Sequence, residues 1–177
     1  MTQPCITVVS FGNFEKQILE KVAVSVRKEF GACVVFREMH TDLNDFFDPA
    51  RRQYNGNRIL QMVETLSTPD SIKTIGLFNV DLFIPILTYI FGQAYLNGKS
   101  GIVSQYRLSN ELYGLPEDSK LLLSRLIKEV IHELGHCFGL IHCYQTECVM
   151  RSSTYVEDID QKGEGMCEEC RGKLVSW

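Results

Sequence analysis

The chain has 177 residues, 45% of them apolar and 23% charged, with 18 Lys and Arg against 22 Asp and Glu for a net charge of −4. That length suits one domain, or one domain divided by a cleft, and the composition excludes a disordered or fibrous chain. The acidic balance lacks the footprint of a general nucleic-acid binder, and no apolar run approaches the length that spans a bilayer. The N-terminal stretch MTQPCITVVS has no basic n-region and no small-residue cleavage site, so it does not read as a signal peptide. The expectation is a cytoplasmic monomer with no nucleic-acid or membrane partner.

Residues 5–10 (CITVVS) form a short β-branched run ended by Gly12 and read as a buried strand. Asn13 is placed to cap a helix whose apolar positions Phe14, Ile18, Leu19, Val22, Val26 and Phe30 keep helical spacing up to Gly31. Residues 32–36 (ACVVF) give a second strand, and the three pieces make a βαβ unit, expected to be parallel and right-handed. Residues 42–57 are polar and ambiguous, 58–66 have a helical pattern, and Pro69-Asp70 turns the chain into a third strand over 74–79. The apolar stretch 82–91 contains Pro85, which argues against a central strand. It and 102–108, on either side of the turn-rich 96–101, are expected as outer, partly antiparallel strands of the sheet. A long helix is predicted from about 118 to 138, with Leu123, Leu126, Ile127, Val130, Ile131, Leu134 and Phe138 on one face. After Gly139 the regular pattern stops in favour of a Cys- and Gly-rich segment. The fold class is α/β: a mixed twisted sheet with helices and a small irregular C-terminal part.

Chemistry concentrates in the last third of the chain. Five of the seven cysteines fall within 137–170, and three of the four histidines are His132, His136 and His142. In a reducing compartment, clustered cysteines bind metal or do chemistry more often than they form disulfides. His132-Glu133-Leu134-Gly135-His136 is an HExxH motif on the long helix. Residues i and i+4 share a helix face, so both imidazoles reach one metal ion, and their direction lies nearly opposite the centre of the apolar face. Glu133 sits off the line of the ligands, placed to take a proton from a water activated at the metal and later pass it to a leaving amine. Gly139 supplies the left-handed turn that ends the helix abruptly, and His142 can then swing back as a third ligand. Three His ligands with one open position are the form zinc takes in catalytic sites.

The string HELGHCFGLIH resembles the long zinc signature of the metzincin metalloproteases. Downstream comes Cys143-x4-Cys148-x-Met150-x16-Cys167-x2-Cys170, and this cysteine set interleaved with the signature resembles the archaemetzincins. The resemblance implies a zinc-dependent peptidase acting on a peptide or protein, with a catalytic zinc on His132, His136 and His142 and Glu133 as general base. It implies that Met150 is the Met-turn residue, a hydrophobic floor beneath the zinc rather than a ligand. It also implies a second, structural zinc on Cys143, Cys148, Cys167 and Cys170, making two zinc ions. The Cys-x4-Cys and Cys-x2-Cys spacings are compatible with a closed tetrahedral thiolate site, which would staple a piece too short to build its own core. The expected arrangement is a single catalytic domain over 1–177, with an upper subdomain over 1–139 and a lower one over 140–177.

Other residues read as ordinary. Cys137 faces away from the two helical ligands and is expected to be a packed small residue; Cys5 and Cys33 are expected to be buried hydrophobes. His40 is read as a surface residue, Asp81 as a turn or cap residue, and Tyr155 receives no role. Phe91-Gly92 is expected, by analogy with other metzincins, to begin the cleft's upper rim, where a peptide adds to an edge strand. Two competing functions are a zinc-stabilised binding or regulatory protein with a silent HExxH site, and a redox protein using Cys167-x2-Cys170. The second is the weaker, because redox Cys-x-x-Cys pairs sit near the start of their fold.

Overall fold

The structure is a computed structural model that describes residues 5–174; residues 1–4, part of the stretch on which the signal-peptide reading rests, lie outside it. The elements in order are β1 (Cys5–Phe11), α1 (Lys16–Phe30), β2 (Cys33–Met39), β3 (Phe47–Asp48), β4 (Gln53–Asn55), α2 (Gly56–Thr65), β5 (Ser71–Phe78), β6 (Leu82–Ile84), β7 (Leu87–Ile90), β8 (Gly92–Ala94), β9 (Ser100–Ser104), α3 (Ser119–Cys137), α4 (Val156–Gln161) and α5 (Glu168–Gly172). Among the described residues no helix is long and apolar enough to cross a membrane.

The main sheet has the order β2-β1-β5-β9-β8, with parallel pairing throughout except for the antiparallel outer strand β8. Alternation along its strands splits the core in two. Ile6, Val8, Ile75, Leu77 and Val103 point to the side covered by α1 and α3, whereas Val9, Phe11, Phe78 and Ile102 point to the side of α2. On that second side Phe11 and Phe78 stack at 4.4 Å between ring centroids.

Several expected boundaries change. The helix α1 begins at Lys16 with Glu15, not Asn13, at its N-cap, and no side chain caps it. The stretch 82–91 is not an outer part of the main sheet. It is the β6–β7 hairpin of a separate four-stranded sheet, order β3-β4-β6-β7, and Pro85 lies in the hairpin's connection, where no ladder donor is needed. The segment 100–104 becomes an interior strand, parallel to β5 and flanked by β8. Cys5 and Cys33 are not separate packed hydrophobes: the β1–β2 register sets them opposite each other with Cα atoms 4.5 Å apart, and they form a disulfide.

The C-terminal segment lies against α1 and α3. The buried Glu29 of α1 accepts from the Met166 N–H and from Arg171, both at 2.8 Å. The Arg125 guanidinium of α3 grips Asp160 through two bonds of 2.7 Å and also donates to the Leu108 carbonyl. Lys128 Nζ donates to the Ile159 carbonyl at 3.0 Å, at the C-terminal end of α4 where a cation is favoured.

Candidate active site

Helix α3 starts on Asp118, whose carboxylate accepts from the backbone N–H groups of Lys120 and Leu121. It ends on a Schellman turn. The Gly139 N–H donates to the His136 carbonyl, the Leu140 N–H to the Gly135 carbonyl, and Gly139 takes φ +89°. Lys73 reinforces that end by donating to the Cys137 and Gly98 carbonyls, each at 2.7 Å. The turn brings His142 back over the helix, and the ligand-capable nitrogens of His132, His136 and His142 lie within 4.8 Å of one another.

The imidazoles are oriented from behind. His132 Nδ1 bonds the Val149 carbonyl at 2.9 Å and His136 Nδ1 bonds the Leu140 carbonyl at 2.7 Å. A carbonyl only accepts, so each Nδ1 carries the proton and each Nε2 presents a lone pair. The two Nε2 atoms are 3.1 Å apart. Tetrahedral Zn–N bonds of about 2.0–2.1 Å place two nitrogens about 3.3 Å apart, so this donor set fits zinc. Burial holds all three histidines below the ordinary imidazole range, His132 furthest, with the Lys162 charge adding to the effect at each. Neutral imidazole is the ligating form.

His132, predicted opposite the apolar face, is less open than that phase suggests: it and the neighbouring Glu133 are each 5% exposed, because other segments cover α3 there. One of these is β8. A Cβ on Gly92 would come within 2.7 Å of Glu133 Cγ and of the Ile102 carbonyl oxygen, so only glycine lets the strand lie this close. Met150, fully buried, packs against the helix at Gly135, its sulfur lying where a Cβ on that residue would go. Burial, followed by the charge of Glu129, pushes the Glu133 carboxyl well above its usual range, with Lys162 pulling the other way.

Beside this centre opens a cleft of about 480 Å³, lined by residues 87–94 of the β7–β8 segment, by Glu129, His132, Glu133, His136 and His142, and by 152–155. Tyr89 ties the two walls, its hydroxyl donating to the Thr154 carbonyl at 2.9 Å.

A second donor set sits next to the first. The sulfurs of Cys143, Cys148, Cys167 and Cys170 lie within 4.8 Å of one another, with Cys143 and Cys167 at 3.9 Å. Tetrahedral Zn–S bonds of about 2.3 Å would put sulfurs about 3.8 Å apart, so this set also fits zinc. Burial raises the Cys148 and Cys170 thiols, whereas the Cys170 N–H lowers Cys167. The Cys143 N–H donates to the Met150 carbonyl at 3.0 Å, linking the cysteine loop to the floor under the histidines.

This constellation has close relatives. A model of peptidase family M54 matches residues 11–176. The chain belongs to peptidase family M54, the archaemetzincins. It is 39% identical over 176 residues to an archaemetzincin of Thermococcus kodakarensis, covering 96% of this chain and 95% of the relative. To that of Sulfolobus acidocaldarius it is 41% identical over 171 residues, with 96% and 95% covered. The crystal structure of the Methanopyrus kandleri archaemetzincin superposes with a TM-score of 0.85 at 30% identity, covering 97% of this chain and 93% of that one. By family the protein is a zinc metallopeptidase, with peptides or proteins as substrates.

Within this archaemetzincin fold the remaining sequence readings find their places. Cys137 is buried against the sheet, its thiol pushed up to about 12 by burial, and is inert packing. His40 is exposed beside Glu38. Asp81 lies in the connection between β5 and β6 and also forms a bidentate pair with Arg107, at 2.5 and 2.7 Å. Tyr155 is exposed at the cleft's edge. Sequence reasoning missed Glu129 and Lys162, an ion pair of 3.1 Å at the cleft wall. Glu129 lies one turn before Glu133, on the same side of the helix, a signal that was there to read; nothing in the sequence marks Lys162.

Proposed function

We propose that the protein hydrolyses peptide bonds at the three-histidine centre, with Glu133 as general base and Cys143, Cys148, Cys167 and Cys170 holding a second, structural zinc. The observation that carries this is the pair of Nε2 atoms 3.1 Å apart, each aimed by a backbone carbonyl behind its ring. Zinc held there supplies a Lewis acid that polarises the scissile carbonyl and makes water acidic. Glu133 takes the proton from the attacking water and returns it to the departing amine. Its raised affinity for a proton suits both halves of that task. Met150 packs beneath the histidines and contributes no ligand. The outer strand β8 offers its free edge to an extended peptide. Within one catalytic domain, β1–β9 with α1–α3 belong to the upper subdomain, and α4 and α5 to the lower one that follows Gly139.

The test is peptide hydrolysis by the zinc-loaded protein combined with metal counting. Two zinc ions per chain are expected, with the weaker removed by mild chelation, activity lost with it, and both restored by added zinc. Hydrolysis that continues at full rate once the weaker zinc has gone would overturn the assignment.

A further inference from the structure

Two of the three histidines depend on the turn that ends α3. The Leu140 carbonyl aims the His136 ring from 2.7 Å, and His142 stands just beyond it in the chain. That turn is held from outside the helix. Its Schellman bonds use the Gly135 and His136 carbonyls and leave that of Cys137, the last residue of α3. Lys73, half-buried on β5, takes it. Its Nζ donates to the Cys137 carbonyl and to the Gly98 carbonyl, each at 2.7 Å, and lies 4.8 Å from the centre of the Phe138 ring. The β8–β9 connection that Lys73 grips is fastened to the same helix end, where the Asn97 N–H donates to the His136 carbonyl at 2.8 Å. Asn97 reaches it with φ +54°, a left-handed conformation uncommon outside glycine.

An ammonium suits that place. It satisfies a carbonyl at the end of a helix and opposes the negative end of the helix dipole. Without its donor, the Cys137 carbonyl would have to turn towards water, and the peptides of Phe138, Gly139 and Leu140 would turn with it. We propose that Lys73 is a positioning residue for the three-histidine centre. By fixing the Cys137 carbonyl and the Phe138 ring, it keeps the Leu140 carbonyl on His136 Nδ1 and sets the path by which His142 returns. The proposal rests on the reading of that centre as a zinc site. Its sign separates it from plain electrostatics. A nearby cation repels a metal ion, so deleting the charge alone would tighten zinc, whereas deleting a positioning residue loosens it.

Lys73→Met tests it, because methionine keeps an unbranched stem beside Phe138 and removes the donors. Zinc retention at each site is measured on the two-zinc protein against graded chelator. Cobalt(II) is then placed in the emptied histidine site, where its visible spectrum reports ligand geometry. The variant should hold the histidine-site zinc about tenfold more weakly, the low end for losing a partner behind a metal ligand, and its cobalt spectrum should change. The cysteine site should match the parent, which also shows that the variant is folded. Lys99→Met deletes a charge at an exposed residue of the same connection and should leave both sites as they are. Lys73→Gln, a neutral donor on a shorter stem, is read in the same way if the methionine variant does not fold. Unchanged or tighter zinc at the histidine site would overturn the proposal, as would equal weakening at both sites or the same loss in Lys99→Met. A parent without zinc on the histidines defeats the metal-site reading; a parent with it and an unaffected variant defeats this inference alone.

Discussion

Glycine 92 is where a single atom matters most. Its missing side chain lets β8 lie against Glu133, and a Cβ there would meet both a side chain and the Ile102 backbone at 2.7 Å. The carbonyl cannot give way without bending β9, so Glu133 must move. Gly92→Ala should lower kcat/KM by about 100-fold, the scale of an ångström-level misplacement, while overpacking costs about 1–3 kcal/mol of stability. Paired rate and melting measurements check it; unchanged kcat/KM would show that Glu133 does not depend on β8. The buried carboxyl of Glu133 also leaves a pH signature. Its folded pKa is raised, so its contribution to stability is fully present below the unfolded carboxyl value and is lost as pH rises through the folded one. In metal-free protein, the melting temperature of Glu133→Gln relative to the parent should therefore increase from about pH 4.5 upward. A difference that shrinks as pH rises would contradict the burial argument. The ligands themselves were legible, because HExxH and Gly139 act through local helix geometry. Gly92 was not, since its partner Glu133 is distant in sequence and only the fold brings them together.

At the scale of elements, the end of α3 decides whether the third histidine arrives. Gly139 holds φ +89°, and a Cβ added there would make only ordinary van der Waals contact with the Asn97 side chain, so it meets strain rather than a clash. Gly139→Ala should cost about 1 kcal/mol and weaken zinc at the histidine site more than at the cysteine site. Differential chelation with a melt checks both halves; equal weakening at the two sites would mean that the turn does not govern His142. This helix was readable from its periodicity, while the capping role of Asp118 came only with the structure. The 82–91 hairpin was misread because Pro85 looked like a fault in a strand, whereas it occupies the connection between two short ones. Strand β9 looked peripheral because SGIVS is brief, and its interior position depends on pairing with β5 and β8, which no local pattern encodes.

For the whole molecule, the cysteine set brings the 143–148 loop together with the 167–170 segment near the C-terminus. Its sulfurs are adjacent to His142 through Cys143 and to Met150 through a backbone bond. Cys170→Ser should lower stability by at least about 3 kcal/mol, roughly 10 °C at this chain length, and release one zinc. Calorimetry with metal analysis measures both, and an unchanged melt with full zinc would remove the structural role. The tethers that dock this segment, through Glu29, Arg125 and Lys128, join residues far apart in sequence and could not be seen before folding. The Cys5–Cys33 pairing was hidden for the same reason, since it follows from the β1–β2 register.

The central claim is that Glu133 moves the proton in peptide hydrolysis, and Glu133→Gln tests it most directly because the amide keeps the shape and removes the basicity. A peptide that the parent cleaves is given to zinc-loaded parent and variant, with zinc content measured on both. The account predicts two zinc ions in each protein and a rate about 10²–10⁴-fold lower in the variant. A variant that retains its zinc and cleaves at nearly the parent rate would contradict it.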